Sequence, residues 1–147
     1  MFRNLFIGIA LVFSASMAHA ALHGEWNGWG DWVFQGSGTH CSTMNLKFAE
    51  SENKLQRLGG LFDCGLVALH IEPQVFEKQG NVLLIDGKEV GSVNGGTYQW
   101  TEHYSDTVLI KNSLKVDGLH MDYYERWIGS DNEIIYEITG RLFLRGN

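Results

Sequence analysis

Closely spaced turn signals constrain the fold of this chain more than any other feature of it. Ser37-Gly38, Glu52-Asn53, Asp86-Gly87, Gly95-Gly96, Asp117-Gly118 and Asp131-Asn132 all accept the positive φ or the side-chain-to-backbone bonding of tight hairpins. Between them apolar residues recur with a period of two, and helical periodicity is missing beyond the first twenty residues. The pattern predicts ten strands, over 23–36, 39–50, 54–64, 66–78, 81–86, 88–94, 97–104, 107–116, 119–128 and 133–145. Connections this short make neighbours in sequence pair as neighbours in space. A twisted meander of that size buries its edges best by closing on itself. The expected fold is therefore all-β, a single closed antiparallel up-and-down barrel.

Residues 1–20 read as a secretory signal. Arg3 supplies a positive charge, Leu5 to Phe13 form an apolar run, and Ala18-His19-Ala20 is a small-x-small cleavage site. That run falls well short of the roughly 20 apolar residues a membrane helix needs, so membrane insertion is not expected. With cleavage near Ala20, the barrel domain is 21–147 and the protein is periplasmic or secreted. Loss of Arg3 leaves ten basic residues against seventeen acidic ones. An acidic domain without basic runs excludes nucleic acid and anionic membrane as partners, because both are held by clustered Lys and Arg.

Cys41 and Cys64 are the two cysteines of the chain. In an oxidising compartment they are expected to form a disulfide, worth about 3 kcal/mol in the chain-entropy picture. The topology offers a check. If the second hairpin centres on Glu52-Asn53, residues paired across it have numbers summing to 105, and Cys41 with Cys64 meets that sum. Gly59-Gly60 is where a bulge would shift this register.

Side-chain parity then selects an interior. Over 107–116, Val108, Ile110, Asn112, Leu114 and Val116 share one face, and Lys111 and Lys115 mark the other as outer. A two-residue turn at Asp117-Gly118 carries Leu119, Met121, Tyr123, Glu125 and Trp127 inward. The last strand adds Ile134, Tyr136, Ile138, Gly140, Leu142 and Leu144. Equivalent logic at Ser105-Asp106 turns Gln99, Thr101 and His103 inward and Tyr98, Trp100 and Tyr104 outward. An interior of His103, Thr101, Gln99, Asn112, Tyr123, Glu125, Trp127, Tyr136 and Ile138 is apolar and aromatic with a few polar groups, the make-up of a small-molecule site. The same list also describes a filled core whose polar atoms satisfy one another. In the first strand, Gly24, Trp26, Gly28, Gly30, Trp32 and Phe34 share a face, which suits a strongly bent strand with Trp26 plugging one barrel end.

Gly24-Glu25-Trp26 resembles the Gly-x-Trp signature that opens the first strand of lipocalins and related barrels, the calycin group. The run Ile135-Tyr136-Glu137-Ile138-Thr139-Gly140-Arg141-Leu142 resembles their closing strand. The resemblance implies a basic residue packed over that Trp, for which Arg141 or Arg145 is the candidate, through a cation–π contact. It also implies a small, largely apolar ligand. Without a helix after the barrel, the ten-strand fatty-acid-binding-protein or nitrobindin-like arrangement fits better than a true lipocalin, and its nitrobindin-like branch brings haem as an alternative cofactor.

No nucleophile elbow, phosphate-cradling loop or His-x-x-x-His pair occurs, so no cofactor and no catalytic group is expected. Among scattered histidines, His103 is the best placed for haem. Cleavage after Ala20 would expose Ala21-Leu22-His23, whose amine, amides and imidazole suit Cu(II) or Ni(II); chance also places a His there. The leading expectation is a binding barrel for a small apolar molecule. The alternative is a protein-interaction barrel, such as an inhibitor of an extracytoplasmic hydrolase, acting through Tyr98, Trp100 and Tyr104. A barrel isomerase using Glu125 beside Tyr136 is the third reading.

Overall fold

The computed structural model describes residues 22–146. The expected leader, its cleavage site and the Ala21 amine lie outside the described residues. The strands are β1 (Gly24–Phe34), β2 (Ser37–Glu50), β3 (Lys54–Asp63), β4 (Ala68–Ile71), β5 (Gln74–Gln79), β6 (Val82–Ile85), β7 (Lys88–Asn94), β8 (Thr97–Ser105), β9 (Val108–Asp117), β10 (His120–Ile128) and β11 (Ile134–Leu144). All pairings are antiparallel, β1 pairs with β11, and β2 pairs with both β1 and β3, which closes the sheet. β4 and β5 lie along one edge of β3 and together fill one place in the ring. The result is a closed ten-strand antiparallel barrel. The single strand expected over 66–78 is broken at Glu72-Pro73 because proline has no N–H to give the ladder.

Each register slip has a local cause. Across β2 and β3, Glu50↔Leu55 to Phe48↔Arg57 keep the expected sum, and a bulge before Gly59 then shifts the pairing to Lys47↔Gly59. Gly59 sits at φ +125°, a conformation that glycine adopts freely. The Cys41–Cys64 disulfide is formed with both residues fully buried, beyond the last β2–β3 ladder pair, Thr43↔Asp63. Between β9 and β10 the turn falls at Gly118-Leu119, so Glu125 pairs with Asn112 and Trp127 with Ile110. This shift of two residues leaves every side chain on its expected face. Leu119, now in the turn, is exposed, as is Ile134 at the start of β11.

β8 is different. Its pairing with β9 slips by one residue at Tyr104, between Ser105↔Val108 and His103↔Leu109. A slip of one exchanges the two faces. Tyr98 and Trp100 are therefore buried at 2% and 3% exposure, Glu102 follows them inward, and Gln99 and His103 face solvent.

The end of the barrel carrying the turns at 51–53, 80–81, 95–96 and 118–119 is closed. Trp26, Leu22, Leu46, Phe48, Leu55, Phe76, Leu83 and Leu142 are all buried in its core. Trp26, expected as a plug, is fully buried among them, and its indole N–H meets no acceptor among the described residues. Arg141 does not cover it. Parity with Leu142 turns Arg141 outward, where it pairs with Asp122, and Arg145 pairs with Glu25. The Leu22 N–H is sealed against Glu50 Oε2 at 2.6 Å, the oxygen that also accepts from the Tyr98 hydroxyl, while Lys78 holds Oε1 at 2.6 Å.

Candidate functional site

The opposite end stays open, because the strands that would wall it are short. β7 pairs with β8 only from Gly91↔Trp100 to Asn94↔Thr97, so the upper half of β8 has no neighbour on that side. β6 ends at Ile85, and β4 pairs only with β3. Between β4 and upper β8 lies a cavity of about 180 Å3 lined by Arg57, His70, Glu72, Glu102, Asn112 and Glu125, among others. A second one of about 530 Å3 adjoins it and shares His70, Ile71, Tyr104, Glu125 and Trp127.

Aromatic rings form one wall. Tyr104 packs on Trp127 at 4.6 Å between centroids, Trp127 stacks on Tyr136 at 4.7 Å, and Tyr136 meets Trp32 edge-on at 5.7 Å. They stand in register because β10 and β11 pair Trp127 with Tyr136, and because the bulge at Tyr104 brings that ring to the same rim. Leu69 and Ile71 of β4 line the same space. The arrangement is a slot with one flat aromatic side, suited to a thin, mostly apolar guest.

The floor is polar. Arg57 of β3 reaches the interior and places both terminal nitrogens on Glu102 of β8, at 2.8 and 3.1 Å, and its Nε on the Glu72 carbonyl at 2.9 Å. Trp100 Nε1 and Asn112 Nδ2 also donate to Glu102, both to Oε1, so that carboxylate receives four donors. Glu125, 6% exposed, is served differently. It accepts from the Tyr123 hydroxyl on one oxygen and from Trp127 Nε1 at 2.5 Å on the other. Among the described residues it makes no ion pair.

Burial raises the Glu125 carboxyl above its ordinary value, and the Tyr123 and Trp127 hydrogen bonds and the nearby Arg57 charge offset this only in part. A raised value means that the folded chain keeps a proton the unfolded chain has released. Stability is therefore full below the ordinary carboxyl range and falls as pH rises towards the folded value. Glu125→Gln is expected to remove that slope and leave the protein more stable than wild type at neutral pH. The advantage should vanish in acid, as read from urea midpoints across a pH series. Equal pH slopes for the two proteins would contradict it.

Of the interior residues expected from sequence, Asn112, Glu125, Trp127 and Tyr136 line the cavities, and Tyr123 and Ile138 lie among the buried core residues. Gln99 and Thr101 instead border a shallow groove on the outer face with Lys111 and Ser113, and His103 is exposed, all because of the slip at Tyr104. The residue singled out for haem thus stands outside the mouth. The outward aromatic patch of Tyr98, Trp100 and Tyr104 is reduced to Tyr104, which belongs to the wall of the slot. Arg57, Glu102, His70 and Ile71 were not anticipated. For Glu102 a signal existed, because it shares a face with Tyr98 and Trp100, the more apolar side of its strand. His23 is exposed and accepts from the Glu50 N–H, and no group of three or more metal-binding side chains occurs among the described residues.

No protein-family model matches the chain, and no curated protein does. Among solved structures it is similar to a protein of unknown function from the DUF3598 family of Nostoc punctiforme, with a TM-score of 0.60 and 13% identity. The match covers 84% of this chain and 47% of the other, so the chain spans about half the length of that protein. What the two share is the fold, a closed antiparallel barrel.

Proposed function

We propose that this protein is an exported, calycin-type barrel that binds a small, flat, largely apolar molecule at its open end. The observation that carries the reading is the slot itself. A stacked row of Tyr104, Trp127 and Tyr136 borders about 530 Å3 of space whose floor is a buried carboxyl. Tyr104 is exposed and Trp127 and Tyr136 are half-buried along this space, and a ligand gains from apolar surface left open in this way. Export is supported by the expected leader and by the Cys41–Cys64 disulfide, a bond that persists in oxidising compartments. The calycin resemblance is supported by Trp26 at the closed end and weakened by the outward Arg141.

The neutral dye Nile red tests the slot. Wild-type protein is expected to bind it with enhanced dye emission, and Trp127→Ala to weaken binding about tenfold, the size of one lost ring contact. An unchanged affinity in Trp127→Ala would place the dye elsewhere. Native mass spectrometry of protein taken from its own compartment then reports the mass of the natural guest. A stoichiometric protein partner in the same spectrum would favour the interaction barrel instead.

A further inference from the structure

We propose that the guest of this mouth is cationic, with a positively charged group on a flat aromatic body that pairs with Glu125. The inference rests on the binding reading above and specifies the chemical class of its ligand. It follows from the charge balance of the interior. Three glutamates, Glu72, Glu102 and Glu125, one guanidinium, Arg57, and the His70 imidazole line the inner cavity, and of the glutamates Glu72 is exposed. Arg57 commits its fork to Glu102, which receives four donors, three on Oε1 and one on Oε2. Glu125 receives two donors where a carboxylate can accept about four hydrogen bonds. It lines both cavities, so its open lone pairs have the slot as their outlet. A buried carboxylate in this state gains most from a positive donor delivered through the mouth.

The surroundings select the same sign. Trp127, Tyr136 and Tyr104 line the same space, and a cation that reaches a ring face there is attracted by its quadrupole. The turns on the open side, 35–36, 64–67, 86–87, 106–107 and 129–133, carry Asp86, Asp106, Asp131 and Glu133 and no Lys or Arg, with Lys88 directly after the third. Their potential draws cations towards the mouth and repels anions. Among the described residues an anionic guest would find no Lys in either cavity, and Arg57 and the His70 imidazole as the basic side chains there. To pair with Arg57 it would have to break the Arg57–Glu102 pair, both members of which have largely buried side chains.

Three tricyclic probes separate the possibilities: proflavine as the cation, acridone as the neutral ring and anthracene-9-carboxylate as the anion. Binding is followed by quenching of tryptophan emission in wild type and Glu125→Gln at 0.15 M salt, pH 7.5. Proflavine is expected to bind at least tenfold more tightly than acridone, and the anion most weakly. Glu125→Gln should abolish the preference, bringing proflavine down to the acridone level measured in the same variant. The rim charges persist in that variant, so the loss belongs to the floor. Proflavine affinity should also rise with pH as Glu125 ionises. The ionisable groups around Glu125 are Tyr123 on its own strand, Arg57, His70, Glu102 and Tyr104 from β3, β4 and β8, Glu72 after β4, and Tyr136 from β11. The profile is therefore read in wild type and repeated in His70→Gln. Should Glu125→Gln fail to fold, this wild-type profile decides. Equal affinities for proflavine and acridone, an unchanged proflavine affinity in Glu125→Gln, or an affinity that falls as pH rises would each overturn the inference while leaving the slot a binding site. Binding of none of the three would overturn the binding reading itself and the inference with it.

Discussion

Arg57→Ala is expected to destabilise the barrel by about 3–5 kcal/mol at neutral pH, the range found when one member of a buried ion pair is removed. Arg57 is 8% exposed, and its guanidinium lines the inner cavity beside Glu102 and Glu125. Without it Glu102 keeps the Trp100 and Asn112 donors and loses the charge that justified its burial, with a second carboxyl nearby. A double replacement, Arg57→Met with Glu102→Leu, should recover most of the loss, because apolar side chains of similar volume need no counter-charge. Urea unfolding of the two variants at pH 7 reads both effects. A loss below 1 kcal/mol in Arg57→Ala would show that water reaches Glu102 freely and that the floor of the mouth is wet.

The same pair explains where the site lies. The ring between β4 and upper β8 is left incomplete by short β6 and β7, and the ladder supplies no backbone bonds there. Arg57 spans this stretch from β3, linking the Glu72 carbonyl after β4 to the Glu102 carboxylate on β8. A side-chain tie in place of backbone pairing keeps the two flanks together and leaves space above it. That space is the cavity lined by His70, Ile71, Glu102 and Tyr104. Stability of the wall and access to the slot thus depend on one ion pair.

Strand positions were legible because turn chemistry is local: Asp86-Gly87, Gly95-Gly96 and their like announce themselves without tertiary context. Inner faces were legible wherever a register error came in steps of two, as from β9 through β11, so Asn112, Tyr123, Glu125, Trp127, Tyr136 and Ile138 were found. β8 was lost because parity was carried across its turn by counting residues, and one bulge at Tyr104 reverses such a count. The strand's own composition was the better guide, since Tyr98 and Trp100 face one way and Thr97, Gln99 and Thr101 the other. Arg57 was hidden for a similar reason. It shares a face with Leu55 up to the bulge at Gly59, after which the buried set resumes in the other phase with Phe62 and Cys64. Short β6 and β7, which open the mouth, are a matter of how far neighbouring strands extend, and no residue type marks that in advance.

Gly28→Ala is expected to cost 4 kcal/mol or more, beyond the usual range for a point substitution. A Cβ at Gly28 would lie 1.9 Å from the Arg141 carbonyl oxygen and 2.8 Å from the Leu142 Cα. Both belong to the backbone of β11, the strand that joins β1 through the pair Gly28↔Leu142. Backbone in a ladder cannot rotate aside as a side chain can, so relief requires β1 and β11 to part. Gly140→Ala makes the informative comparison. Its Cβ would meet Met44 Sδ at 2.6 Å and Cε at 2.7 Å, the flexible end of a side chain that can repack. Overpacking of that kind costs about 1–3 kcal/mol. Gly38→Ala, with nothing within 4 Å of its Cβ, should stay within about 0.5 kcal/mol of wild type. Each alanine also lowers the entropy of the unfolded chain by a similar amount, so the order of the three variants reflects the folded state. Urea unfolding, with near-ultraviolet circular dichroism to report the packing of the tryptophans, measures that order. A Gly28→Ala protein as stable as Gly140→Ala would mean that β1 and β11 are not held this close, and that the barrel closes less tightly than their pairing implies.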